Sequence, residues 1–178
     1  MNFTLFIDSD SLPVTHRNIV LKRAMKNNIK TVFVADRPLK DINTAINQHT
    51  YETRLKYKES LSLDELKTIK SSMSMVVVKS DVDSADDYIV DHAVAPAICI
   101  THDIPLAHRL VTNGILVLDD RGEIYTKDNI NYRLSQRNAM QAIREASYID
   151  APRQKSFNSK TIELFSNAFD KALRSMSV

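Results

Sequence analysis

The sequence predicts an α/β protein, a mostly parallel central sheet covered by helices on both faces in a three-layer α/β/α arrangement. Two observations carry this. Short unbroken apolar runs recur at residues 3–7, 31–35, 75–78, 97–101 and 115–118, and such runs suit strands buried on both faces. Helix-like segments separate them, the alternation that builds parallel sheets through crossovers. At 178 residues, 43% hydrophobic and 26% charged, the chain is long enough to bury one substantial core without disulfides. The single Cys99 offers no internal disulfide, and its apolar strand marks it as an inert core thiol.

Taken in order, Phe3 to Ile7 is a strand stopped by the turn Asp8-Ser9-Asp10-Ser11. Pro13 sits where a helix opens, and the pairs Val20–Ala24 and Leu21–Met25 carry it to about Asn28. Thr31 to Ala35 is the second strand. Residues 36–60 show no clear period, and a strand is expected near Tyr51 to Tyr57. Ser62 and Glu65 form a capping box for a helix to about Ser72, before the strand at Met75–Val78. Ser84 caps a helix to about Ala93, with Asp87 in the capping-box position. A strand at Ala97–Thr101 precedes a helix from Pro105 to Asn113, closed by Gly114. Ile115 to Leu118, a turn at Asp120-Arg121-Gly122 and a long helix from an Asp128 cap to about Ser147 follow. Pro152 breaks the chain, and Ile162, Phe165, Phe169 and Leu173 mark a final amphipathic helix.

Composition excludes several functions. The chain has two glycines, Gly114 and Gly122, whereas phosphate-cradling loops need several. P-loop NTPases, dinucleotide-binding domains and protein kinases are thereby ruled out. No apolar run approaches the roughly 18 residues of a membrane span, and the N-terminal apolar stretch meets Asp8 too soon for a signal peptide. A cytoplasmic protein without membrane partners is expected. Charge is unevenly spread: residues 1–60 carry ten Lys/Arg against six Asp/Glu, 61–127 six against eleven, and 128–178 eight against five.

In open parallel sheets, ligands bind beyond the carboxyl ends of the strands. Aspartates gather there: Asp8 and Asp10 after the first strand, Asp81, Asp83, Asp86 and Asp87 after the third, Asp103 after the fourth, and Asp119 and Asp120 after the fifth. Each alone also reads as a turn former or helix-start residue, and Asp119-Asp120 reads as a turn. Asp8, Asp10, Asp86 and Asp103 at three strand ends point instead to a shared site. Converging carboxylates raise one another's pKa unless a cation neutralises them. A hard divalent ion with oxygen ligands does so, and the same ion serves phosphoryl chemistry.

The segments Asp8-Ser9-Asp10-Ser11-Leu12-Pro13, Asp83-Ser84-Ala85-Asp86-Asp87-Tyr88-Ile89, Ile100-Thr101-His102-Asp103-Ile104-Pro105-Leu106-Ala107 and Arg121-Gly122-Glu123-Ile124-Tyr125-Thr126-Lys127-Asp128-Asn129-Ile130 resemble the YaiI/YqxD family of bacterial proteins. That family is similar to PIN-like nucleases. The resemblance implies a PIN-like domain over residues 1–150, with 151–178 as an amphipathic helix docked on it. It further implies cleavage of phosphodiester bonds, in RNA rather than DNA, with Mg²⁺ or Mn²⁺. Relatives commonly follow Asp-Ala-Asp with a small residue, Cys and Pro, so the serines and Leu12 here are departures. The additional acid common in PIN-like nucleases has Glu59, Asp64 and Glu65 as candidates.

The expected roles follow from both readings. Asp8, Asp10, Asp86 and Asp103 are the expected metal-holding catalytic residues, and Asp83, Ser11 and Thr101 are expected to orient ligands, waters or the phosphate. Arg121, Arg17, Asn129 and Arg137 are the expected substrate contacts, with further basic residues such as Lys22, Arg23 and Arg133 on the flanks. His102 reads as a solvent-exposed histidine or a metal or proton contact. Two alternatives stand beside the nuclease: a non-catalytic module that binds nucleic acid or protein, and a haloacid-dehalogenase-like phosphatase using Asp8 as nucleophile. The phosphatase expects a downstream Ser/Thr motif, a lysine and a further acidic motif usually near glycine; the scarcity of glycine and the Thr101-His102-Asp103-Ile104-Pro105 segment argue against it. The protein is expected as a monomer or homodimer.

Overall fold

The computed structural model describes residues 2–79, 84–147 and 158–176. Six strands form one sheet: β1 (Thr4–Asp8), β2 (Thr31–Ala35), β3 (Met73–Val77), β4 (Ala97–Ile100), β5 (Leu116–Leu118) and β6 (Ile124–Tyr125). Their order is β3-β2-β1-β4-β5-β6. The first five are parallel, and β6 returns antiparallel to β5. The helices among the described residues are α1 (Val14–Asn27), α2 (Lys40–Lys56), α3 (Leu63–Thr68), α4 (Ser84–His92), α5 (Ile104–Thr112), α6 (Lys127–Ser147) and α7 (Ser159–Ser175). None is long and apolar enough to cross a membrane.

Alternate residues of each buried strand feed two separate cores. Leu5, Ile7, Phe33, Ile98 and Ile100 pack with Val20 and Ala24 of α1, Ile42 of α2 and Phe165 and Phe169 of α7. Phe6, Val34, Cys99 and Val117 pack on the other face with Ile89 of α4, Leu106 and Leu110 of α5 and Ile130 of α6. The expected three layers are therefore present, and α7 shares the α1 side of the core. Asp170 of α7 accepts two hydrogen bonds from Arg23 of α1, each 3.0 Å, and the rings of His16 and Phe165 meet edge-to-face at 4.7 Å. Pro152 lies outside the described residues.

The expected strand near Tyr51–Tyr57 is instead the last part of α2. Ile42, Ala45, Ile46 and His49 follow helical spacing on the inner side. The stripe ends in a histidine and a threonine, which hid its period, and His49 is buried with Nδ1 2.8 Å from the Ser71 hydroxyl. Tyr51, Leu55 and Tyr57, which suggested the strand, are exposed. The Ser62–Glu65 capping box forms as expected, but α3 stops at Thr68 and β3 starts at Met73, two residues early. At α6, Thr126 rather than Asp128 is the cap: its Oγ1 accepts from the Asn129 amide at 3.3 Å, and Asn129 Oδ1 accepts from the Thr126 amide at 2.8 Å.

The β5–β6 turn explains one of the two glycines. Gly122 has φ +86°, and a Cβ there would lie 2.8 Å from the Leu164 carbonyl oxygen of α7. Gly114 shares the positive φ, at +79°, with open space around it. Gly122→Ala is therefore expected to destabilise by about 2 kcal/mol or more, lowering Tm by roughly 4–8 °C, and Gly114→Ala by about half as much. Equal losses in thermal melts would contradict the backbone clash at α7.

His16 and His49 give the fold an acid sensitivity. Both are buried, and desolvation pushes each below its ordinary value of 6.5, with Asp120 opposing the shift at His16 and Glu52 opposing it at His49. A base with a lowered folded pKa takes up protons on unfolding, so the stability of the neutral form is present above 6.5 and is lost as pH falls toward the folded value. Comparing melts at pH 7 and pH 5, we expect His16→Gln to shrink the Tm loss seen in the parent chain. An unchanged loss would show that His16 contributes nothing to it.

Candidate functional site

Strand order reverses at β1: the chain leaves it for β2 on one side, while β4 flanks the other. Connections departing in opposite directions open a crevice at the carboxyl ends of β1 and β4, where open α/β sheets bind ligands. Asp8 closes β1 at this point, and Thr101 and Asp103 follow β4.

The loop after β1 turns without glycine because side chains hold it. The Ser9 amide donates to the Val34 carbonyl at 2.8 Å, and Leu12 is buried at 1% exposure. Arg17 reaches back from α1, its Nη1 donating to the carbonyls of Leu12 at 2.7 Å and Ser9 at 3.3 Å. Its Nε donates to Asp41 at 2.8 Å. Expected as a substrate contact, Arg17 is 9% exposed and occupied inside the fold. Asn129, expected in the same role, caps α6 and donates from Nδ2 to the Ile124 carbonyl at 3.0 Å.

One hydroxyl joins the two strand ends. Thr101 Oγ1 donates to Asp8 Oδ2 at 2.7 Å and accepts from the Asp103 amide at 3.0 Å. The Asp103 carboxylate in turn accepts from the Leu106 amide at 3.4 Å, capping α5. Asp8 is only 6% exposed. Burial raises its pKa above the usual 3.8 despite hydrogen bonds from Thr101 and Ser11 that favour the charged form, and Asp103 adds repulsion. Desolvation outweighs the hydrogen bonds here. Asp86, half-buried in the first turn of α4, bears on the same region: the Cys99 thiol is pushed up first by burial, then by the charges of Asp8 and Asp86.

Asp10 goes elsewhere. Its Oδ2 accepts from the Asp36 amide at 2.6 Å and its Oδ1 lies 3.6 Å from Arg37, at the end of β2. Among the described residues, no group of three or more His, Cys, Asp or Glu side chains is placed to hold a metal ion. The expected gathering of four aspartates is thus replaced by an Asp8–Asp103 pair bridged through Thr101, with Asp86 nearby and Asp10 drawn aside. Asp81 and Asp83 lie outside the described residues. The candidate extra acids sit on the connection from α2 to β3, which the parallel topology places at the opposite end of the strands. There Asp64 pairs with Lys67 and Glu65 caps Ser62.

Around the pair, Ser11 spans both loops, donating to the Asp8 carbonyl at 3.1 Å and accepting from the His102 amide at 3.3 Å. The Asp119–Asp120 doublet divides its work. Asp119 Oδ1 closes the turn on the amides of Arg121 and Glu123, at 2.9 and 2.7 Å. Asp120 is buried at 3% exposure and pairs with His102 Nδ1 at 3.1 Å. That hydrogen bond raises the His102 pKa above 6.5. A turn-forming doublet gives no sign in sequence that its second member is buried beneath a histidine. Arg121 sits half-buried in the same turn.

Ser11, His102, Asp103 and Ile104 line one side of a cleft of about 400 Å³, and Arg137 and Arg144 of α6 line the other. Arg137, expected as a substrate contact, is among the residues lining this cleft. Arg144 was missed, although it follows Arg137 by two helical turns, a spacing legible in the sequence.

The family model described as "Uncharacterized BCR, YaiI/YqxD family" matches residues 41–175. Similar curated proteins, each called UPF0178 protein, span nearly the whole chain. One from Psychromonas ingrahamii is 34% identical over 171 residues, covering 96% of this chain and 95% of its own. One from Treponema denticola is 32% identical over 169 residues, covering 95% and 90%, and one from Trichlorobacter lovleyi is 32% identical over 174 residues, covering 97% and 95%. With that share of the chain matched, the protein belongs to the YaiI/YqxD family.

Proposed function

We propose that the protein hydrolyses phosphodiester bonds of a polynucleotide, RNA in preference to DNA, with Mg²⁺ or Mn²⁺ held by Asp8 and Asp103. The observation that carries this reading is the buried Asp8 carboxylate at the switch point, its charge disfavoured by burial and by Asp103. Mg²⁺ is commonly held through only one or two carboxylates and keeps its waters, so this sparse donor pair fits it, whereas an ion needing a full protein cage has no such set among the described residues. When bound, the ion supplies an activated water and neutralises charge on the phosphate.

The chain's own residues do the rest. Thr101 ties the Asp8 carboxylate to the backbone at the start of α5, which the Asp103 carboxylate caps. Ser11 ties the β1 loop to His102. Arg137 and Arg144 face Asp103 across the cleft and hold non-bridging phosphate oxygens, for which guanidinium geometry is suited. The hydrogen bond to Asp120 orients the His102 ring at the same rim. Asp10, engaged at the end of β2, positions that loop rather than the ion.

A second reading, a binding module without catalysis, is favoured by the lack of a three-donor group among the described residues. The two are separated by incubating a labelled oligoribonucleotide with the protein and Mg²⁺ or Mn²⁺, with EDTA as control. We expect cleavage that EDTA abolishes. Asp8→Asn is expected to reduce it by more than the roughly 10–100-fold typical of losing a ligand's hydrogen-bond partner, and Thr101→Val to fall within that range. Metal-independent or Asp8-independent cleavage overturns the proposed site, and binding without cleavage leaves the second reading.

A further inference from the structure

Beyond its contacts with α5, the side chains of α6 are exposed through Ala146. A second cavity, of about 750 Å³, runs beside it and shares Ile104, Arg137 and Arg144 with the cleft at Asp103. Together the two form a trough leading away from the acidic pair. Among the described residues, the charged side chains lining the larger cavity are all arginines, whereas Asp103 lies at the cleft end. Arg133 at one border is neutralised by Glu123 through hydrogen bonds of 2.7 and 3.0 Å. Arg137 contacts Gln141 at 3.4 Å, and Arg144 has no ion pair among the described residues. The larger cavity also has apolar walls, Ile104 on α5 and Ala139 and Met140 on α6.

We propose that this trough binds the single-stranded segment adjoining the scissile phosphate, Arg137 and Arg144 holding its phosphates and Ile104 with Met140 receiving the face of a base. Paired cationic and apolar walls are what a nucleotide strand requires, since its backbone is anionic and its bases flat and apolar. The larger cavity falls among pockets that hold small organic ligands, roughly 300–1,000 Å³, and so takes one or two nucleotides rather than a duplex. With no Phe, Tyr or Trp among its described lining residues, the trough offers bases only Ile104, Met140 and the side chains of Gln136 and Gln141. The inference rests on the reading of the neighbouring site as phosphodiester-cleaving, but binding is measurable without cleavage.

The test is fluorescence anisotropy in EDTA with a fluorescein-labelled oligoribonucleotide of about 12 residues, alone or annealed to its complement, across a salt series. We expect the single strand to bind about tenfold more tightly than the duplex. Arg137→Gln with Arg144→Gln should weaken it about tenfold or more and reduce the salt slope by about two phosphate contacts. Met140→Ser should weaken binding with the slope unchanged, and Lys171→Gln on α7 should leave affinity unchanged. Absent binding, equal affinity for duplex, or a double variant that behaves like Lys171→Gln overturns the trough. Binding as expected with no cleavage on adding Mg²⁺ or Mn²⁺ removes the hydrolytic reading and leaves the trough standing; cleavage with an insensitive double variant does the reverse.

Discussion

A carboxylate loses several kcal/mol of hydration when it is buried, and it stays charged in a fold only where polar groups or cations replace that water. Asp8 is in this position at the end of the central strand, 6% exposed. Its surroundings supply hydroxyls, from Thr101 and Ser11, and a second carboxylate, Asp103. The hydroxyls recover part of the lost hydration, but burial and Asp103 outweigh them. The fold thus holds an electrostatic deficit at the place where an open parallel sheet offers a binding crevice. A divalent cation of the kind proposed would offset that deficit directly.

Keeping that arrangement demands rigid loops, and the chain achieves rigidity without glycine. Arg17 grips two carbonyls of the β1 loop while anchored to Asp41 of α2, so three elements move as one. Ser11 and Thr101 then cross-link the β1 and β4 ends. Farther out, buried Asp120 orients His102, and the turn carrying Asp120 is pressed against α7 at Gly122. The C-terminal helix therefore supports the site from behind, through His16 and Phe165, as well as closing the core.

Opposite the acidic pair, α6 brings arginines to the same cleft. The result is a bipolar groove with a carboxylate floor and a guanidinium wall. Polarity of this kind suits a ligand that is itself anionic and carries its own cation, as a metal-bound phosphodiester does. Of the basic flanks of the linear sequence, Arg137 and Arg144 line this cleft, whereas Arg17 and Arg23 are engaged within the fold.

The sequence by itself determined the fold class, the five parallel strands and most helices, but not the two-residue β6 or the order of the strands. Continuous apolar strands and local caps such as Ser62–Glu65 are short-range signals, readable because their physics is local. Where the buried stripe of α2 ended in His49 and Thr53, the periodic signal failed and exposed tyrosines imitated a strand. Thr101 bonds the Asp8 carboxylate and the Asp103 amide, and that contact depends on the pairing of β1 with β4. Only tertiary structure decided that Asp10 turns to β2, that Arg17 and Asn129 serve the fold, that Asp120 is buried beneath His102, and that Arg144 reaches the cleft. Each outcome depends on which partner lies across a gap of many residues, and hydrogen bonding and burial are settled by that partner rather than by the residue's own chemistry.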